Sequence, residues 1–135
     1  MRETEIVTAE LFKSLLEIDI ENEHFDLHND YDCYSILFSK DHELTLSFNS
    51  SNKAVKLVLK DATVNYMSLN LTDLGTEITT IDSMYRGRYE DGNVLREATD
   101  DSRGYFYIEF CSGYTIECFA RTVFFVTEIF CDTSR

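Results

Sequence analysis

Apolar and polar positions alternate most regularly between residues 34 and 60. Tyr34, Ile36 and Phe38 are spaced two apart, as are Leu44, Leu46 and Phe48, and then Val55, Leu57 and Leu59. A period of two belongs to strands with one buried face. A three-residue loop of Lys40, Asp41 and His42 sets Phe38 opposite Leu44, Ile36 opposite Leu46 and Tyr34 opposite Phe48. A two-residue Ser51-Asn52 loop then sets Phe48 opposite Val55, Leu46 opposite Leu57 and Leu44 opposite Leu59. Both registers keep one apolar face, so the spacing predicts a three-stranded antiparallel meander.

The densest run of aromatic and aliphatic residues lies between Tyr105 and Phe130. Strong strand formers flank Ser112 and Gly113, which predicts a hairpin. A two-residue Ser112-Gly113 turn would set Glu109 against Ile116 and Ile108 against Glu117, burying carboxylates against aliphatics. A three-residue loop, Ser112 to Tyr114, instead pairs Phe110 with Ile116, Ile108 with Cys118 and Phe106 with Ala120 on the core side. That register leaves Glu109 opposite Glu117 on the outer face, a like-charge pair that needs something basic beside it.

Elsewhere the pattern changes period. Leu11, Phe12, Leu15, Leu16 and Ile18 fall at helical spacing within residues 8 to 18, with Thr8 as N-cap and Glu10 near the positive end of the dipole. Residues 63 to 71 and 78 to 90 read as weaker strands around a turn at residues 72 to 75, and residues 91 to 103 as a polar loop. The expected fold class is therefore α+β over one domain, residues 1 to 135. Its N-terminal helix packs on a predominantly antiparallel, strongly curved sheet made of the meander and the C-terminal hairpin, with a sandwich and a half-barrel both left open.

The 135 residues suffice for a single core without metal or disulfide support. The 44% apolar content excludes a disordered chain. Charge changes the picture more: 25 acidic residues against 12 basic ones give a net charge of -13. From Ser14 to Ser39 there is no lysine or arginine, while Glu17, Asp19, Glu21, Glu23, Asp26, Asp30 and Asp32 follow one another. Ile18, Ile20, Phe25, Leu27 and Tyr31 are interleaved with them and would anchor the run, holding its carboxylates in place as a docking surface. A field of this sign repels nucleic acid and anionic membranes and attracts basic proteins. The Tyr85-Arg86-Gly87-Arg88-Tyr89 alternation resembles a nucleic-acid platform, but it sits in that opposing field.

Candidate chemistry adds little. His24 and His28, four apart, could form a metal pair with Asp26 or Asp32, yet they lack the Glu of HExxH. Asp30-Tyr31-Asp32 begins like a calcium loop but has Ser35 where the turn requires glycine. No nucleophile motif or phosphate loop occurs, so neither an enzymatic reaction nor a cofactor is expected. Cys33, Cys111, Cys118 and Cys131 show no metal-finger spacing and read as small buried hydrophobes in a reducing compartment. With acids at Glu3 and Glu5 where a signal peptide would begin, a cytoplasmic location is expected.

These features suit a compact acidic domain that covers the active site of a cationic partner. Gly104-Tyr105-Phe106-Tyr107-Ile108-Glu109-Phe110 and Gly113-Tyr114-Thr115-Ile116-Glu117-Cys118, with the small size and acidity, resemble the bacterial immunity proteins of polymorphic toxin and contact-dependent inhibition systems. The resemblance implies a toxin partner, and the basic clefts of nucleases suit the charge. Glu17, Asp19, Glu21, Glu23, Asp26, Asp30, Asp32, Glu109 and Glu117 are the candidate partner-binding residues. The alternative is a ligand-binding or enzymatic β-module whose cavity is lined by some of the aromatics.

Overall fold

The structure, a computed structural model, describes residues 2–6, 11–68, 80–96, 103–111 and 113–128. Strands β1 (Arg2–Ile6), β4 (Asp32–Phe38), β5 (Leu44–Asn49), β6 (Ala54–Lys60) and β13 (Thr122–Glu128) form a five-stranded sheet in the order β1-β13-β6-β5-β4. A four-stranded sheet has the order β7-β12-β11-β8, from β7 (Thr63–Ser68), β8 (Ile81–Gly87), β11 (Gly104–Phe110) and β12 (Thr115–Ala120). Two small hairpins, β2 (Glu17–Ile20) with β3 (Glu23–Asp26) and β9 (Tyr89–Asp91) with β10 (Val94–Arg96), complete the described strands. All pairings are antiparallel, and neither large sheet is closed or strongly curled.

The meander forms with its predicted pairings at Ile36, Phe38 and all of β5 against β6. One pairing differs. A bulge between Cys33 and Ser35 puts Cys33, not Tyr34, opposite Phe48. Cys33 takes the core position and Tyr34 is 54% exposed. The extra residue of a bulge shifts the inside-outside alternation by one, and a small thiol fits the interior where a phenol would have to bury its hydroxyl.

No helix exists among the described residues, which corrects the α+β assignment to all-β. Thr8 and Glu10 lie outside the described residues; the rest of the supposed helix is a strap followed by β2. Phe12 and Leu15 donate their backbone N–H groups to the carbonyls of Arg86 (2.6 Å) and Met84 (2.8 Å), so the strap runs along the edge of β8. Hydrogen bonds to another strand thus replace the i to i−4 bonds of a helix. The period of 3.6 was present, but Glu17-Ile18-Asp19-Ile20 also alternates with a period of two, and covering a sheet edge decided between them.

The C-terminal hairpin keeps its predicted inner face but not its register. Phe106 faces Cys118 and Ile108 faces Ile116, a shift of two residues from the expected pairing. The turn is closed by hydrogen bonds from the Phe110 N–H to the Tyr114 carbonyl (2.9 Å) and from the Gly113 N–H to the Phe110 carbonyl (2.8 Å). Gly113 has φ 94°, a left-handed conformation that glycine adopts without strain. A shift of two preserves parity, so no side chain changes face. Glu117 consequently lies opposite Tyr107 and Glu109 opposite Thr115, and the two carboxylates are not direct neighbours. The turn at residues 72 to 75 lies outside the described residues. Part of the expected polar loop is instead the β9–β10 hairpin, turned at Gly92, where φ is 66°.

The inner faces of both large sheets contribute to one hydrophobic cluster, with Leu46, Phe48, Leu57 and Phe125 from one and Phe106, Ile108, Phe110 and Ile116 from the other. The β6–β7 and β12–β13 connections turn together from one sheet into the other. At this corner Asp61 has φ 54°, the Arg121 N–H donates to the Lys60 carbonyl (2.9 Å), and Arg121 Nε donates to Asp61 (2.9 Å). A strand pair that changes sheet through such a bend gives the fold two layers without closing a barrel.

Candidate functional site

The acidic run does not form a loose connector. Ile18 opposes Phe25 in the β2–β3 hairpin and both are buried, while Leu27 and Tyr31 anchor the chain beyond it. Glu21 and Asn22 form the tight turn, with φ of 47° and 70°. Twist matching favours two left-handed residues in a two-residue hairpin. Phe25 packs edge-on against Phe125, its ring centre 4.9 Å away.

This anchoring also brings counter-charges to several of the acids. Glu21 pairs with Arg2, and Glu23 with Lys53. His24 Nδ1 is 2.6 Å from Asp19, and its Nε2 is 3.5 Å from Glu17. The Asp19 hydrogen bond holds the imidazole above its usual pKa. Asp26 fixes the turn after β3, accepting from the side chain of Asn29 (2.8 Å) and from the backbone N–H groups of Asn29 (3.0 Å) and His28 (3.1 Å). These bonds, the Asn29 side chain first, hold its carboxyl below the usual range. Asp30 and Asp32 are exposed beside a polar cleft of about 340 Å³ that His28, Asn49 and Thr80 also line. Glu17, Asp19, Glu21 and Glu23 are exposed on the hairpin. The run is therefore a set of partly neutralised ion pairs with two outlying aspartates.

The outer face of the four-stranded sheet is different. Across the strands, Tyr66, Glu117, Tyr107 and Tyr85 stand in one row, with Ser68, Thr115, Glu109 and Ser83 in the next. Tyr85 and Tyr107 pack with ring centres 5.4 Å apart, Phe12 of the strap lies 5.9 Å from Tyr85, and Tyr105 packs on Phe119 at 5.1 Å. The Tyr105 hydroxyl donates to Glu117, and the Tyr107 hydroxyl donates to Glu109 (3.1 Å). The two glutamates are thus answered by neutral phenols, which orient the carboxylates without cancelling their charge. Desolvation first, and then the adjacent carboxylate, push both phenols above the usual tyrosine range.

Such a face can take a cation. Aromatic rings attract guanidinium or ammonium groups, and an oriented carboxylate supplies a charge-assisted hydrogen bond. Tyr85 and Arg86 point to opposite sides of β8, since Arg86 pairs across from the inward-facing Phe106. The Tyr-Arg alternation therefore makes no single platform for nucleic acid.

Sequence patterning identified Glu109 and Glu117 but missed the tyrosines as their partners. Tyr105, Tyr107 and Glu109 occupy alternate positions, so their shared face was readable; Tyr85 and Phe12 join it through pairings distant in sequence. Phe48, Phe106, Phe110 and Phe125 are fully buried and do not line the cleft beside Asp30 and Asp32. Of the cysteines expected inside, Cys33 and Cys118 are buried, and burial pushes their thiols up to about 11 and about 12. Cys111 is exposed at the hairpin loop, which corrects its expected burial: it directly follows the inward-facing Phe110 and so turns away from the core, and Cys131 lies outside the described residues. Compared with protein-family models, curated proteins and solved structures, the chain matches none of them.

Proposed function

We propose that this chain is an acidic protein-binding module that neutralises a basic partner, a toxin nuclease domain, by covering its active site. The observation that carries this reading is the outer face of the four-stranded sheet, where Glu109 and Glu117 are held by tyrosine hydroxyls among half-buried aromatic rings. Rigid tyrosines supply contact area at small entropic cost, and the carboxylates meet the lysines and arginines that a nuclease uses for phosphate. The net charge of -13 favours the encounter at long range. On this reading the chain acts in the cytoplasm as an immunity protein, and inhibition requires occlusion rather than a reaction.

The experiment is a titration of the purified chain against a panel of basic nuclease domains at low and high salt, followed by association kinetics for Glu109→Lys combined with Glu117→Lys. A stoichiometric complex that weakens with salt is expected, together with an association rate reduced about tenfold or more in the variant. Absence of any stoichiometric complex, or a complex whose association ignores both salt and the charge reversal, refutes the reading.

A further inference from the structure

At the end of the β8–β11 pair where β11 finishes and β8 begins, three metal-ligand side chains from distant parts of the sequence converge. A ring nitrogen of His28, a carboxylate oxygen of Asp82 and Sγ of Cys111 all lie within 4.8 Å of one another. We propose that His28, Asp82 and Cys111 form a zinc-binding site, with the fourth position left to water or to a side chain of a bound protein.

The backbone builds this cluster. Glu109 pairs with Ser83 and Phe110 with Ile81, so Asp82 is the extra residue of a β-bulge. Bulges re-aim the side chain they carry. Cys111 follows directly, its N–H donating to the Thr80 carbonyl (2.8 Å), which holds the thiol beside the bulge. The third ligand comes from the loop after β3. His28 Nδ1 lies 2.7 Å from the Ile81 carbonyl, an acceptor only, so Nδ1 carries the proton and Nε2 presents its lone pair. Metal-binding histidines are commonly oriented by such a hydrogen bond to a backbone carbonyl.

The dimensions and donor types fit the ion. Ligands at about 2.0 to 2.3 Å from a tetrahedral zinc stand roughly 3.3 to 3.8 Å apart. Cys111 Sγ and Asp82 Oδ1 are 3.8 Å apart, the thiol donating to the carboxylate. Both side chains are exposed and His28 is half-buried, so small rotations close the remaining gap. Sulfur with imidazole and one carboxylate selects a borderline-soft ion and disfavours magnesium or calcium. Coordination converts the Cys111 thiol to thiolate, its proton passing to solvent. Glu17, His24 and Asp26 make a second convergent group, but it lacks sulfur, and the Asp26 carboxylate is already committed to the turn after β3.

The test uses the full chain under reducing conditions, with cobalt as a spectroscopic probe and zinc affinity measured by competition with a chromophoric chelator. One equivalent of cobalt should produce a thiolate-to-metal charge-transfer band. Cys111→Ser should abolish that band, whereas Cys131→Ser and His24→Gln should leave it intact. His28→Gln and Asp82→Asn should each weaken zinc binding at least about tenfold, a loss that removal of an orienting group alone can already cause. No charge-transfer band in the wild type, a band that survives Cys111→Ser, or zinc affinity unchanged in His28→Gln would each overturn the proposal. Should Cys111→Ser not fold, the near-isosteric Asp82→Asn decides by the same affinity measurement.

Discussion

Replacing Phe110 with alanine should remove about a third of the stability of this protein. Phe110 is 1% exposed, sits at the end of β11, and belongs to the cluster shared by both large sheets. Truncating a buried phenylalanine costs about 3 to 5 kcal/mol, because the lost transfer energy adds to the cavity left behind. A domain of this length has a total stability of roughly 7 to 15 kcal/mol. With a urea m value of about 2 kcal/mol/M, the unfolding midpoint should fall by about 2 M. The melting temperature should fall by about 10 to 20 °C. Phe12→Ala is the internal comparison. That ring is 62% exposed and touches Tyr85 through a tilted contact, so its removal should cost about 1 kcal/mol or less. Urea melts followed by circular dichroism, with m values compared, measure both. A Phe110→Ala midpoint shift no larger than that of Phe12→Ala would refute the two-layer core.

The corner between the sheets gives a second expectation. Asp61→Ala should cost about 1 to 2 kcal/mol, combining an exposed ion pair worth at most about 1 kcal/mol with the left-handed backbone that alanine tolerates poorly. Asp61→Asn should recover the backbone part, and equal melting of the two variants would assign the whole effect to charge. For His24, the hydrogen bond to Asp19 and the neighbouring carboxylates raise the folded pKa, so the stabilisation is present below the unfolded value and disappears as pH rises through the folded one. The midpoint difference between the wild type and His24→Gln should therefore shrink from about pH 5.5 to about pH 8, and a difference that grows with pH would contradict the assigned contact.

Much of the sheet structure was legible as alternation. The β5–β6 register followed from its two-residue loop, and the inner face of β11 and β12 survived a misplaced loop because the resulting register error was an even number of residues. The strap at residues 11 to 16 was not legible. Leu11, Phe12, Leu15 and Leu16 fit a helical stripe, but the backbone acceptors of Phe12 and Leu15, the carbonyls of Arg86 and Met84, lie some seventy residues away. Local periodicity states which residues seek burial. It does not state whether the backbone bonds to itself or to a neighbouring edge.

The candidate sites divide along the same line. Sequence alone determined the negative charge, the anchored acidic run and the outward position of Glu109 and Glu117, since each depends on residue type and a period of two. Tertiary structure decided which carboxylates meet lysine, arginine or histidine and which meet tyrosine. It also joined His28, Asp82 and Cys111, which share no sequence spacing. Those contacts are set by a β-bulge, a loop register and a strap along a sheet edge. Each places side chains through hydrogen bonds between segments far apart in the chain, where local pattern carries no information.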